Sequence, residues 1–337
     1  MLLTMARVIS RRMLVVIPIL LAVSMLLFLV LRLLPVDPAA MSLPPTATND
    51  EIEAMREAMG LNLPIPHQYA IWLRDTLSGE FGTSIQYRQP VGELIAKTLP
   101  ATIELAVVAA IIATVVGIGG GLVIFRMRGT VGEAAGDVGS LLMLSLPDFL
   151  WGLILIFVFG VFWPVLPFIG RLDPGMVQPG GTGFLLIDAL AAGQVRVFWS
   201  ALVHMLIPAT ALGISFAPIV MRVLRSSLLD VYQEGYIAQA RMRGVSEERI
   251  LVSHALKNAI LPTLTLMGVQ FGFLFGGTLL IEVICSYPGV GNLMVGSVRN
   301  ADLPVIQMVG LTYCAVTLLI NTLVDALCVA LNPKATA

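Results

Sequence analysis

The chain of 337 residues is 57% hydrophobic and 12% charged, about half the charged content of an ordinary soluble domain, so most of it must face lipid or other membrane helices. Its 20 basic and 21 acidic residues leave a net charge of −1, which points to neither nucleic acid nor an acidic ligand. Cys285, Cys314 and Cys328 lie in or beside apolar runs, without metal-ligand spacing and in an odd number that fits no closed disulfide framework.

Residues 1–12 are basic, with Arg7, Arg11 and Arg12 and no acid, and residues 13–31 are almost pure Leu, Val, Ile and Met. This reads as a first span with a cytoplasmic N-terminus. Further runs of about 20 apolar residues follow, so the first is not a cleaved leader before a soluble domain. Residues 32–100 form a polar, extracytoplasmic subdomain. Its sequence predicts a helix over 49–59 with an acidic first turn, ended by Gly60, and an amphipathic helix over 67–77. A Gly-rich turn over 79–84 follows, and residues 90–100 lead back to the membrane.

The second span covers 101–125, with Glu104 near its outer end and a glycine run at 117–121 near its inner end, where small residues permit close helix packing. Arg126 and Arg128 mark a cytoplasmic turn. The third span, 140–163, is interrupted by Pro147-Asp148, which frees a backbone carbonyl and sets a carboxyl in apolar surroundings. An outer loop rich in Gly and Pro occupies 164–200, with a short interfacial helix at 185–192. The fourth span runs from 201 to 224 and the fifth from 261 to 284, the latter carrying glycines at 268, 272, 276 and 277 and Glu282 at its outer end. A loop is expected after it, through 287–293 and 300–304. The sixth span, 305–331, contains Asn321 and Asp325, and a cytoplasmic tail of 332–337 ends the chain. Of the 20 Lys and Arg residues, 12 fall in the segments assigned to the cytoplasm, which are the shorter in total. The positive-inside rule then places both termini inside.

Between spans four and five lies a polar, helix-forming segment, residues 233–262. One short helix is expected over 234–243, stopped by Gly244. A second, capped by Ser246, carries Ile250, Leu251, Ala255, Leu256, Ala259 and Ile260 on one side, and Pro262 marks the start of the next apolar run. Ala238, Ala240, Gly244, His254, Asn258, Leu261 and Pro262 make this segment resemble the cytoplasmic coupling loop of ABC-importer permeases, in particular the dipeptide, oligopeptide and nickel branch. In place of the Glu-Ala-Ala of the general importer motif stands Ala238-Gln239-Ala240. The likeness continues through Gly60, Leu61, Pro64, Gln68, Tyr69, Trp72, Leu73, Gly79, Phe81, Gly82, Ser84, Pro90, Val91, Leu99, Pro100 and Thr102, then through His204, Pro208, Glu282, Pro288, Gly289, Gly291, Asp302 and Pro304.

The resemblance implies an all-α polytopic membrane protein with six transmembrane helices in the type I ABC-importer permease fold, located in the bacterial inner membrane. It implies a permease subunit of an ATP-driven importer of dipeptides or short peptides, or in the same architecture of oligopeptides, glutathione or nickel complexes. The implied partners are a homologous second permease, two cytoplasmic ATPases that carry ATP and Mg, and an extracytoplasmic solute-binding protein. Glu234, Tyr236, Ile237, Ala238, Ala240, Arg241, Arg243 and Gly244 are then the expected ATPase-coupling residues. Tyr236 and Ile237 would supply apolar contact, Ala238 and Ala240 room for close approach, and Arg241 and Arg243 polar contacts at the rim.

Asp148, Glu104, Glu282 and Asp325 stand in or at the edges of apolar helices. A charge at the bilayer centre costs about 3 kcal/mol even on lenient scales, so these carboxyls are candidates for a translocation pathway or gate. Asp325 is also placed to bind another helix's backbone or an Arg. No nucleophile stands near a His–acid pair and no metal-ligand spacing is present. The glycine run 117–121 lacks the Lys-Ser/Thr of a phosphate-binding loop, so this chain cannot hydrolyse ATP by that mechanism. Two other classes remain. An intramembrane enzyme would have to rest on Asp148 with Asp325, whose expected depths differ. A secondary transporter would be expected to show inverted halves, which six spans with an elaborate cytoplasmic helix pair do not suggest.

Overall fold

The computed structural model describes residues 2–331 apart from 34, 36 and 45; the expected tail, 332–337, lies outside the described residues. The order is α1 (Leu2–Arg32), α2 (Pro38–Ser42), α3 (Asn49–Ala58), α4 (Ile65–Leu77), α5 (Val91–Arg126), α6 (Val131–Ser145), α7 (Asp148–Leu155), α8 (Leu185–Ala191), α9 (Val195–Val231), α10 (Gly235–Met242), α11 (Glu247–Arg249), α12 (Leu256–Ile284), α13 (Val290–Arg299) and α14 (Leu303–Leu331). Two π-helical stretches, Ile156–Phe162 after α7 and Ile250–Ala255 before α12, join their neighbours without a break. Among the described residues there is no strand, only an isolated bridge between Thr83 and Pro90.

Five helical segments are long and apolar enough to cross a membrane: Leu14–Arg32, Val91–Arg126, Val195–Val231, Glu247–Ile284 and Leu303–Ala326. The third expected span is instead a bent pair, Val131–Ser145 and Asp148–Phe162, which meet at 101°. Pro147 is the cause. It has no N–H for the carbonyl of Met143, and it excludes the helical conformation at Leu146, which is extended at ψ 131°. The indole of Trp151 donates to the freed Met143 oxygen at 3.1 Å, so the kink is closed by a hydrogen bond rather than left open.

Several boundaries differ from the sequence expectation. Helix α5 begins ten residues before the expected span and runs through Pro100, because Val91 and Leu94 are buried with Val290, Leu293, Val305 and Val309. Pro262 does not start a helix but lies inside α12. Residues expected as loop after span five form α13. Ser246 sits at an N-cap position, yet its hydroxyl makes no capping bond.

The core is a sandwich of α5, α9 and α12. Ala101, Leu105, Ala109, Met205, Leu212, Phe275 and Ile281 are buried in it. A Cβ on Gly117 would come 2.6 Å from Cβ of Val220, so the glycine run lets α5 and α9 approach closely. Helix α1 packs against α14, and Phe28 meets Tyr69 and Trp72 with ring centroids 5.5 and 5.6 Å away, which fastens the segment 32–100 to α1. Thr48 and Glu51 form a reciprocal capping box that opens α3.

Candidate functional site

The segment between α9 and α12 folds into a hairpin at the end of the bundle away from the 32–100 segment. Its first helix, α10, begins after Glu234 and stops at Gly244, whose φ of +76° is the left-handed conformation glycine tolerates. The N–H of Gly244 bonds the carbonyl of Arg241 at 2.9 Å and that of Val245 bonds Ala240 at 3.1 Å. This paired closure satisfies the last carbonyls, and Val245 and Ala240 both pack against the buried cluster beneath it. A helix of this length is marginal alone, so the turn and the packing beneath it hold its shape.

That packing divides the expected coupling residues into two sets. Ile237 is fully buried against Phe125, Leu224, Leu228, Ile250 and Leu251 of its own chain, and Ala240 is half-buried in the same cluster. Ile237 therefore anchors α10 to the bundle and offers no external apolar contact, contrary to the expectation. Glu234, Tyr236, Ala238, Arg241, Arg243 and Gly244 are exposed, together with Gln239 and Met242. Met242, 81% exposed, was not singled out from the sequence. A thioether standing free on a surface helix adapts readily to an apolar groove. Tyr236 accepts a hydrogen bond from the amide of Asn258 at 2.7 Å, tying α10 to the start of α12.

Arg241 is turned to internal use. Its Nε donates to Glu247 at 2.5 Å, which holds the guanidinium pKa above its usual value, and it lies 5.4 Å from the ring centre of Tyr232. Arg128 stands over the rings of both Phe125 and Tyr232, at 4.4 and 4.7 Å, and Arg126 pairs with Glu248. The turn after α5 thus grips the hairpin by two cations. Farther along, Arg225 of α9 pairs with Glu133 and with Asp137 at 2.7 Å, binding α6 to α9.

The candidate carboxylates separate as clearly. Glu104 is buried, accepts from Arg171 Nη2 at 2.5 Å and from the backbone N–H of Leu186 at 2.8 Å. Glu282 is fully buried. Its Oε1 accepts from Thr102 at 2.7 Å and its Oε2 from the N–H groups of Gly291 and Asn292 at 2.7 and 3.1 Å. It thereby caps the first turn of α13, where a carboxylate satisfies orphan amides and suits the helix dipole. A Cβ on Gly291 would come 2.6 Å from Cα of Leu279 and 2.9 Å from that carboxylate. Asp148 is half-buried at the start of α7, bonded to the N–H of Phe149 at 2.7 Å and facing Gly277 of α12. Asp325 pairs with Arg12 of α1. The four carboxyls do not converge.

Two further buried carboxylates were not selected from the sequence as site residues. Asp302 accepts from Ser84 at 2.5 Å and from the N–H groups of Ile85 and Gln86, so it pins the 32–100 segment to the start of α14. Asp188 accepts from the N–H groups of Thr182 and Gly183 at 2.9 and 2.8 Å, closing the long loop onto α8. Most of their partners are backbone amides, which sequence spacing does not reveal.

The hairpin thus sits on a bundle of helices long and apolar enough to cross a membrane. The chain is 35% identical over 334 residues to the dipeptide transport system permease protein DppB of Escherichia coli, covering 98% of both chains. It is 34% identical over 327 residues to the di/tripeptide transport system permease protein DppB of Pseudomonas aeruginosa, covering 97% of each. It is also 34% identical over 323 residues to the glutathione transport system permease protein GsiC of Escherichia coli, covering 96% of each. Residues 5–106 match the N-terminal portion of binding-protein-dependent transport system membrane components. Residues 113–337 match the family described as binding-protein-dependent transport system inner membrane component, and the chain, a multi-pass all-α membrane permease, belongs to that family.

Proposed function

We propose that this chain is one permease subunit of an ATP-driven importer of dipeptides and other short peptides. The observation that carries the reading is the near-full-length similarity to dipeptide and di/tripeptide permeases, joined to a hairpin whose exposed helix is built to dock. The partners are a homologous permease, two cytoplasmic ATPases holding ATP and Mg, and an extracytoplasmic binding protein. The hairpin end is then cytoplasmic and the 32–100 segment extracytoplasmic. The excess of Lys and Arg at the hairpin end supports this orientation and cytoplasmic termini.

In this reading the exposed face of α10, with Tyr236, Ala238, Gln239, Met242 and Arg243, sits in a groove of an ATPase. Closure of the ATPase pair moves the hairpin. Because Ile237 and Ala240 bind it to α5 and α9, and Glu247–Ile284 is one continuous helical segment, the movement passes into three spans together. A ligand or nucleotide shifts such an equilibrium only through different contacts in the two states. Similar identity to the glutathione permease makes glutathione the second reading. The test is uptake by the reconstituted complex with its binding protein and ATP. Peptide accumulation that stops without ATP or the binding protein supports the proposal, while accumulation driven by an ion gradient alone would overturn it.

A further inference from the structure

A cavity of about 380 Å³ opens between α1, α12 and α14, within the size range of small-molecule sites. One end carries the ion pair of Arg12 and Asp325, whose side chains remain 48% and 30% exposed. Asn321 and Thr317 follow one and two turns deeper on α14, roughly 12 Å from Asp325 to Thr317 at 1.5 Å per residue. Val269 and Phe273 of α12 form an apolar wall, and Gly272 makes room for the Asn321 amide.

Beyond the Arg12–Asp325 pair, the polar groups here are not used by the fold. Thr312 and Thr322 on the same helix return their hydroxyls to the carbonyls of Met308 and Leu318, but among the described residues Thr317 and Asn321 have no hydrogen-bond partner. Polar side chains in a membrane helix are costly unless they meet water or a polar ligand. The cavity also opens on the exposed stripe of α12 that includes Thr265, Val269, Phe273 and Leu280, so its occupant need not cross the packed core.

Resting on the reading of this chain as a peptide permease, we infer that the cavity is a transient site for the zwitterionic peptide backbone. Arg12 takes a carboxylate of the peptide, whether terminal or on a side chain, Asp325 an ammonium of either kind, and Asn321 and Thr317 the peptide amide. The ligand exchanges one ion pair for two, a nearly balanced trade that leaves binding weak enough for release. The wall of Val269 and Phe273 accepts side chains of varied shape.

The test uses the complete complex in proteoliposomes and compares uptake of alanylglutamate with that of alanyllysine. The same binding protein serves every variant, so its own preference cancels. Arg12→Gln lowers the glutamate-to-lysine rate ratio and Asp325→Asn raises it, each by about threefold, as loss of one half-exposed charge partner predicts. Shifts of opposite sign cannot come from a common loss of fold. Should the single variants fail to assemble, the double variant, which leaves no lone charge, slows both peptides about threefold or more with normal peptide-stimulated ATP hydrolysis. Unchanged ratios in the single variants, or wild-type rates in the double one, overturn the site. A wild-type complex that moves neither peptide overturns the peptide reading itself.

Discussion

The two ends of the bundle are held by different physics. At the end bearing the 32–100 segment, Glu104, Asp188, Glu282 and Asp302 are all buried, and each accepts hydrogen bonds from backbone amides. At the hairpin end, Arg126–Glu248, Arg225–Glu133 and Arg241–Glu247 are wholly or partly exposed. A buried carboxylate cannot leave its amides without losing them to an unsatisfied state, whereas an exposed pair trades its partner for water at little cost. The first end is therefore a fixed frame, and the second is where rearrangement is cheap. On the proposed reading, in which an ATPase drives the hairpin, that asymmetry puts the compliance beside it.

Breaking the frame should give the largest effect. Arg171→Met leaves Glu104 buried without its cation and should cost about 3–5 kcal/mol, seen as a loss of monodisperse protein on heating in detergent. Retained heat resistance would show that water replaces Arg171 and that this end is softer than its geometry indicates. Gly291→Ala comes next. The new methyl meets Leu279 and the Glu282 carboxylate, and overpacking of this kind should cost about 1–3 kcal/mol.

At the compliant end the expected ranking reverses between stability and activity. Gly244→Val forces a branched side chain to φ +76°, a strain of about 1–3 kcal/mol, yet nothing lies within 4 Å of the added Cβ. The fold should survive with peptide-stimulated ATP hydrolysis impaired. Smallest in stability is Arg126→Ala, within about 1 kcal/mol, with a measurable drop in the uptake achieved per ATP hydrolysed. Equal coupling in wild type and variant would reduce the Arg126–Glu248 pair to an incidental surface contact.

How far the sequence foretold this depends on the range of each interaction. The hairpin was legible because Gly244 and its flanking helices form a local signal. The bend was legible in its place, since Pro147 must break the ladder, but not in its closure by Trp151. The fate of Ile237 was not legible: one apolar residue on a short helix can face the bundle or a partner, and only the surrounding Phe125, Leu224 and Ile250 decide. Nor was α13, because Pro288, Gly289 and Gly291 read as a turn, while the helix depends on a carboxylate from α12. Thr102 and Glu282 stand 180 residues apart, and no local pattern joins them.

On the proposed reading the exposed face of α10 couples this permease to an ATPase, and Ala238 offers the sharpest test of that coupling. Ala240 is half-buried within the chain, so enlarging it would disturb the fold, whereas Ala238 is exposed and its side chain has no internal duty. Ala238→Trp should leave heat stability unchanged but overfill the docking contact, weakening ATPase co-purification about fivefold or more for a cost of about 1–3 kcal/mol. ATP-dependent peptide uptake should fall with it. Wild-type co-purification and uptake at equal protein level would contradict the account and remove α10 from the coupling path.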